Sequence, residues 1–213
     1  MALLHAPFLE VEQQHTPQQV GRMLDKLPQV PIACNPWPQY GHEVQASFTI
    51  AHSAHAVLLK YYVEEQFLLA ASAANGDIHK DSCVEFFVAF GEDDSYYNLE
   101  FNCIGWYKAG YGSTRNHRSA LADRITDAIT TDTHIRSEVV NGARRFGWEL
   151  TIVIPATVFC YHQIENLATL RVKGNFHKCG DELPTPHFLT WNHVTAHTPD
   201  FHRKEDFADI LFL

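Results

Sequence analysis

Glu85 interrupts the apolar run Cys83–Phe90, and Asn98, Glu100 and Asn102 fill every second position from 98 to 102. Glu and Asn are poor strand formers, so such a pattern gives up local propensity, and departures of this kind concentrate at functional sites. Carboxylates and amides together supply hydrogen-bond acceptors and donors, which suits sugar hydroxyls, since each hydroxyl both donates and accepts. Two positioned carboxylates are also what a glycoside hydrolase requires. Glu85, Glu100, Asp81 and Asp181 qualify by residue type, although no spacing selects a pair.

The elements that must position these groups can be read from alternation. Val84, Phe86, Val88 and Phe90 share one strand face, while Cys83, Glu85, Phe87 and Ala89 share the other. In the next segment Tyr97, Leu99, Phe101 and Cys103 lie opposite Tyr96, Asn98, Glu100 and Asn102. Placing both apolar sets on one core sets the parity of the hairpin. The simplest register pairs Phe90 with Tyr97, Val88 with Leu99, Phe86 with Phe101 and Val84 with Cys103. It sets Glu85 opposite Asn102, and Phe87 opposite Glu100. A third strand, 170–176, alternates Arg171, Lys173, Asn175 and then His177 with Val172, Gly174 and Phe176. In the same sheet its cations would neutralise the carboxylates, and Arg171 is expected beside one of them, because an unpaired charge in a groove is costly. On this reading Glu85, Glu100, Asn102, Arg171 and Asn175 line one concave face, with Trp106 and Trp191 at its rim.

Further strands are expected over 44–51, 56–63, 67–72, 106–111, 134–140, 146–154 and 210–213, with a helical turn after Pro155. Many short strands separated by turn residues predict an all-β, two-sheet antiparallel sandwich. Phe86, Val88, Leu99, Phe101, Trp148, Leu150 and Ile152 are its expected core. Residues 1–43 read as a lead-in packed on a sandwich of residues 44–213, the two forming one domain. In it Thr16-Pro17 opens a short helix through Val20, Met23, Leu24 and Leu27, and a proline-rich stretch follows around Trp37 and Tyr40.

A chain of 213 residues with 46% hydrophobic content buries a core without help from disulfides. Its net charge of −9 argues against nucleic acid and anionic membranes as partners. The five cysteines are odd in number and include no CxxC pair, which predicts reduced thiols. Cys83 and Cys103, on neighbouring strands, should face opposite sides. No basic leader or membrane-length apolar run is evident, so the expectation is a cytoplasmic protein, or a secreted one if a signal was removed. His193, His197 and His202, or His52 and His55, lack the spacing of a metal site, and calcium at Glu92-Asp93-Asp94 competes with an ordinary charged turn. No metal and no cofactor is therefore expected, a structural calcium aside.

The chain resembles the family 9 carbohydrate-binding modules of the DOMON-like superfamily, in particular single-domain bacterial members. The resemblance is carried by Asp81-Ser82-Cys83-Val84-Glu85-Phe86-Phe87 and by Tyr96-Tyr97-Asn98-Leu99-Glu100-Phe101-Asn102 with Gly105. It continues through Trp148-Glu149-Leu150-Thr151-Ile152-Val153-Ile154-Pro155, then Asn175-Phe176-His177-Lys178-Cys179-Gly180-Asp181-Glu182-Leu183. His187-Phe188-Leu189-Thr190-Trp191 and Asp200-Phe201-His202-Arg203 complete it. It implies a β-sandwich that binds a mono- or oligosaccharide between aromatic side chains without catalysis. Polar contacts would come from Glu85 and Asn102. Two positions depart from the family pattern. Glu100 stands where an Arg is usual, and Ile78-His79-Lys80 lacks the Trp that usually precedes the first block. The resemblance implies Trp191 as one aromatic clamp, with Trp106 or Tyr107 replacing the other. A haem-binding relative is the remaining alternative. The only methionines, Met1 and Met23, both lie in the lead-in, which disfavours Met/His ligation, while the 14 histidines leave bis-His ligation open.

Overall fold

Period-two alternation becomes thirteen strands in two facing sheets in the computed structural model, which describes residues 3–12, 14–41 and 43–213. The strands are β1 (Leu3–Ala6), β2 (Val30–Pro31), β3 (Gln45–His52), β4 (Ala56–Glu65), β5 (Cys83–Phe90), β6 (Tyr96–Asn102) and β7 (Tyr107–Gly112). Then follow β8 (Arg118–Ala120), β9 (Thr130–Val140), β10 (Ala143–Pro155), β11 (Val172–Cys179), β12 (Phe188–Thr190) and β13 (Ala208–Phe212). One sheet runs β1-β13-β11-β5-β6-β7-β8 with β12 also on β11, and the other runs β2-β3-β4-β10-β9. All neighbours are antiparallel except β1 and β13. Two short α-helices, α1 (Pro17–Leu24) and α2 (Asp123–Thr126), accompany them. No helix among the described residues is long and apolar enough to cross a membrane. Met1 lies outside the described residues.

The inner faces meet as expected. Phe86, Val88, Leu99, Phe101, Trp148, Leu150 and Ile152 are all buried in the main core. Phe176 stacks between Phe48, at 3.8 Å, and Phe86, at 4.8 Å. Helix α1 starts where the sequence places it. Thr16 accepts from the Gln19 backbone N–H, the Gln19 side chain accepts from that of Thr16, and Pro17 opens the first turn. Val20 and Leu24 then seat against Ala51 and Leu58 on the outside of the second sheet. The first 43 residues also supply β1 and β2, one to each sheet.

Three expectations are corrected. Residues 67–72 form no strand, because side chains satisfy their backbone. The amides of Ala71 and Ser72 donate to the Asp81 carboxylate, and that of Leu69 donates to Ser82 Oγ. The β5–β6 register is shifted by two residues, pairing Val88 with Tyr97, Phe86 with Leu99, Val84 with Phe101 and Glu85 with Glu100. Strand β5 outruns β6 at the hairpin, where Phe90 pairs only with Val172 of β11. A two-residue slip leaves every side chain on its expected face, so alternation cannot detect it. The polar face of this sheet, finally, is no open concave surface. Trp37, Ile78, Val194, Phe201 and Phe207 cover it in a second apolar cluster with Phe87 and Tyr96, and Trp37 Nε1 donates to the Ala196 carbonyl at 2.8 Å.

Candidate functional site

The cover over this face is incomplete above the Glu85–Glu100 pair. An opening there leads to a cavity of about 70 Å³ with both carboxylates on its floor. Around them stand His79, Arg115, Arg118, Cys179, Asp181, Phe188, Pro199, Asp200, Phe201 and His202. The floor is made by the sheet, since Glu85 and Glu100 are direct cross-strand partners and His177 and Cys179 on β11 sit beside Glu85 and Cys83. The Tyr61 hydroxyl, reaching across from the second sheet, donates to the Glu85 carbonyl at 2.8 Å and braces the floor from behind. The walls come from elsewhere. His79 lies on a short 3₁₀ turn, Ile78–Lys80, and Arg118 begins β8. A side-chain carbon at Gly112 would overlap the His117 carbonyl and Arg118, so only glycine lets β8 fold back this closely.

The electrostatics are unusual for so buried a place. Burial pushes the Glu85 carboxyl well above the usual range, with Glu100 and Asp181 adding in that order. Glu100 Oε1 accepts from Asn98 Nδ2 at 3.0 Å and lies 3.7 Å from Arg118. Its Oε2 has no hydrogen-bond partner, only His79 Nδ1 at 3.8 Å. Pairing with Glu100 holds His79 above its ordinary value. His202 receives the Tyr96 hydroxyl contact at 2.7 Å and Arg118 Nη1 at 2.7 Å, and burial followed by Arg118 brings it down to about 3. It is thus a neutral ring accepting from a guanidinium. His177, fully buried and stacked on Phe201 at 4.2 Å, has neither ring nitrogen hydrogen-bonded, and burial holds it well below its usual value. Glu100 Oε2 at the opening and both His177 nitrogens beneath it are therefore unsatisfied, which native structures seldom tolerate without a ligand or water.

Of the residues expected from sequence, Glu85 and Glu100 meet at this cavity. Asn102 and Asn175 share its sheet face, but their hydrogen bonds are committed elsewhere. Asn102 Oδ1 accepts from the Ile104 and Trp106 amides while its Nδ2 donates to Asp81, which shapes the β6–β7 turn. Asn175 Oδ1 accepts from Asn192 and Phe176, and its Nδ2 donates to the Asn192 carbonyl. Trp106 is 48% exposed on the β6–β7 turn and does not line the cavity. Trp191 faces the other way, edge-on to Phe48 and Phe176 at the inter-sheet core. Arg171 does approach a carboxylate, that of Glu92 at 3.2 Å, but on the open surface. The guanidinium near Glu100 is Arg118, which alternation did not find because it stands in a short edge strand after a turn. Asp81 serves the 67–72 loop. Glu92 is engaged by Arg171, and Asp93 by Ser95, Tyr111 and His162. His193 and His197 are exposed, while His202 turns into the cavity. The five cysteines are unbonded, and Cys83 and Cys103 do face opposite sides of the sheet.

Comparison with known proteins gives one consistent result. Residues 17–212 match the profile described as carbohydrate-binding family 9. A structure from Bacteroides uniformis ATCC 8492, described as a candidate carbohydrate-binding protein, superposes with a TM-score of 0.89. It is 31% identical, over 99% of both chains. Two structures of a family 9 carbohydrate-binding module from Caldicellulosiruptor kristjanssonii share the fold. The complex with cellotriose is 11% identical over 99% of this chain and 93% of that one, at a TM-score of 0.60. The complex with glucose is 10% identical over 100% and 96%, at 0.56. A search of curated proteins returned no match.

Proposed function

The chain belongs to carbohydrate-binding family 9, and from that premise we propose that the cavity over Glu85 and Glu100 takes one terminal unit of a saccharide. The observation that carries this reading is a buried carboxylate oxygen on a cavity-lining residue, Glu100 Oε2, left without a hydrogen bond. Glu100 Oε2 faces the opening with no hydrogen-bond partner, and Arg118, His79 and Asp181 stand around it. Sugar hydroxyls would donate to the carboxylates and accept from the arginine. Phe188 and Phe201 offer apolar area to the C–H face of a ring. At about 70 Å³ the space admits the edge of one ring, so a chain end fits better than the middle of a polymer. Relatives of the same fold hold glucose and cellotriose, which makes glucose-containing saccharides the first ligands to try.

Calorimetric titration with glucose, cellobiose and cellotriose, backed by a glycan screen, tests the proposal. Binding is expected, with Arg118→Met weakening it by about tenfold to a hundredfold, the worth of a charge-assisted hydrogen bond. Absence of binding to every saccharide in the screen would sink it. Release of reducing sugar by the wild type, lost in Glu85→Gln, would turn the reading toward hydrolysis.

A further inference from the structure

At the cavity floor Glu85 also belongs to a second arrangement, with two cysteines that the saccharide reading leaves unassigned. Cys83 on β5 and Cys179 on β11 are direct cross-strand partners, both buried and on the same face. Both thiols point at one oxygen of Glu85, from 3.9 Å for Cys83 and 3.4 Å for Cys179, and the three ligand atoms lie within 4.8 Å of one another. A tetrahedral zinc ion with Zn–S of about 2.3 Å and Zn–O of about 2.0 Å separates its sulfur and oxygen ligands by about 3.5 Å. The observed spacings bracket that edge length. His177 lies beside the group, its Nδ1 3.9 Å from the other Glu85 oxygen, completely buried and without a hydrogen bond on either ring nitrogen. The Cys83 and Cys179 thiols also reach the Val84 and His79 carbonyls, at 3.6 and 3.5 Å, so His177 is the member of the group left unpaired.

We propose that Cys83, Cys179 and Glu85 bind a thiophilic divalent cation of the zinc type. Its fourth position would be left to a water from the cavity, with His177 in reach of that water. Two thiolates and one carboxylate are a ligand set that selects soft or borderline metals over calcium or magnesium. Binding would release the two thiol protons to solvent. Glu85 and Cys179 both line the cavity, so the ion has a way in. The proposal goes beyond saccharide recognition and shares Glu85 with it without resting on it, and its test uses the metal alone.

The full-length chain, reduced with a phosphine and stripped with a chelator, is titrated anaerobically with cobalt(II). A thiolate-to-cobalt charge-transfer band in the near ultraviolet should saturate at about one equivalent and vanish on adding zinc. Cys83→Ser and Cys179→Ser should each remove the band and weaken zinc binding more than about a hundredfold, beyond the usual cost of losing an outer-shell partner. The exposed Cys160→Ser should leave both unchanged. A wild-type protein without the band would overturn the proposal, as would a band surviving in Cys83→Ser. Cobalt held by surface histidines gives no such band and counts against it. Should the serine variants fail to fold, X-ray absorption on the zinc-loaded wild type decides. Two sulfur ligands are expected, and fewer would refute the site.

Discussion

Two buried clusters of charge lie on opposite faces of β11, in adjacent residues of one strand. Lys178 points between the sheets, and His177 points to the cavity side. The Lys178 ammonium is completely engaged. It donates to the Cys179 carbonyl at 2.8 Å, contacts His187 Nε2 at 2.9 Å and pairs with Glu65 Oε2 at 3.0 Å, although that last contact lies off the hydrogen-bonding axis. The other Glu65 oxygen accepts from Trp148 Nε1 at 2.6 Å. The network ties β4 and β10 of one sheet to β11 of the other and is sealed from solvent. The His177 side is buried just as deeply, yet Glu100 Oε2, Asn98 Oδ1 and both His177 nitrogens go without hydrogen bonds. Burial alone therefore does not distinguish a structural charge from a functional one. The partner at hand does: Glu65 Oε2 also lacks a hydrogen bond but has the Lys178 ammonium at 3.0 Å, whereas Glu100 Oε2 has only His79 at 3.8 Å, and unmet capacity of that kind costs stability that a ligand or water returns.

This comparison is most exposed to failure at Lys178. Lys178→Ala should cost about 3–5 kcal/mol of stability in urea denaturation, because it strands Glu65 between the sheets. The double change Lys178→Met with Glu65→Gln should recover most of that loss, since it removes both charges and keeps an acceptor for Trp148 Nε1. A small single-mutant cost would mean that the inter-sheet network is not closed as described. Across the strand the sign should differ. Glu100→Gln removes one of the groups that, after burial, hold Glu85 above its usual range, and should leave stability within about 1 kcal/mol of wild type or raise it, while saccharide affinity falls. A loss of stability comparable to that of Lys178→Ala would erase the distinction between the two faces.

Two tryptophans sharpen the same contrast at smaller amplitude. Trp191→Ala should destabilise by about 1–3 kcal/mol, less than a fully buried aromatic because the ring is only half-buried, and leave saccharide affinity alone. Affinity lost without stability would restore Trp191 to the binding surface. Trp106→Ala, on an exposed turn, should stay within about 0.5 kcal/mol in stability and bind saccharide as wild type does. Reduced binding there would extend the site to the β6–β7 turn.

Alternation along the chain was enough to predict the sandwich, the seven core residues and the side of the sheet on which Glu85, Glu100, Asn102, Asn175 and His177 lie. Side-chain direction in a strand follows from position parity, a local property. The helix start at Thr16-Pro17 was legible for the same reason, since capping involves only residues three apart. The register of the hairpin was not, because slips by two preserve parity. Neither was the environment of the polar face. The pattern that alternates polar with apolar is the same whether water or Trp37, Phe201 and Phe207 cover it, and the cover comes from segments distant in sequence. Asn102 and Asn175 looked equivalent to Glu100, and only tertiary contacts spent their hydrogen bonds on nearby backbone. Arg118 reached Glu100 through an edge strand and a glycine that allows close approach, and Cys83 met Cys179 across paired strands far apart in the chain. Which polar groups face one another depends on register and cover, and both are set by packing over the whole molecule.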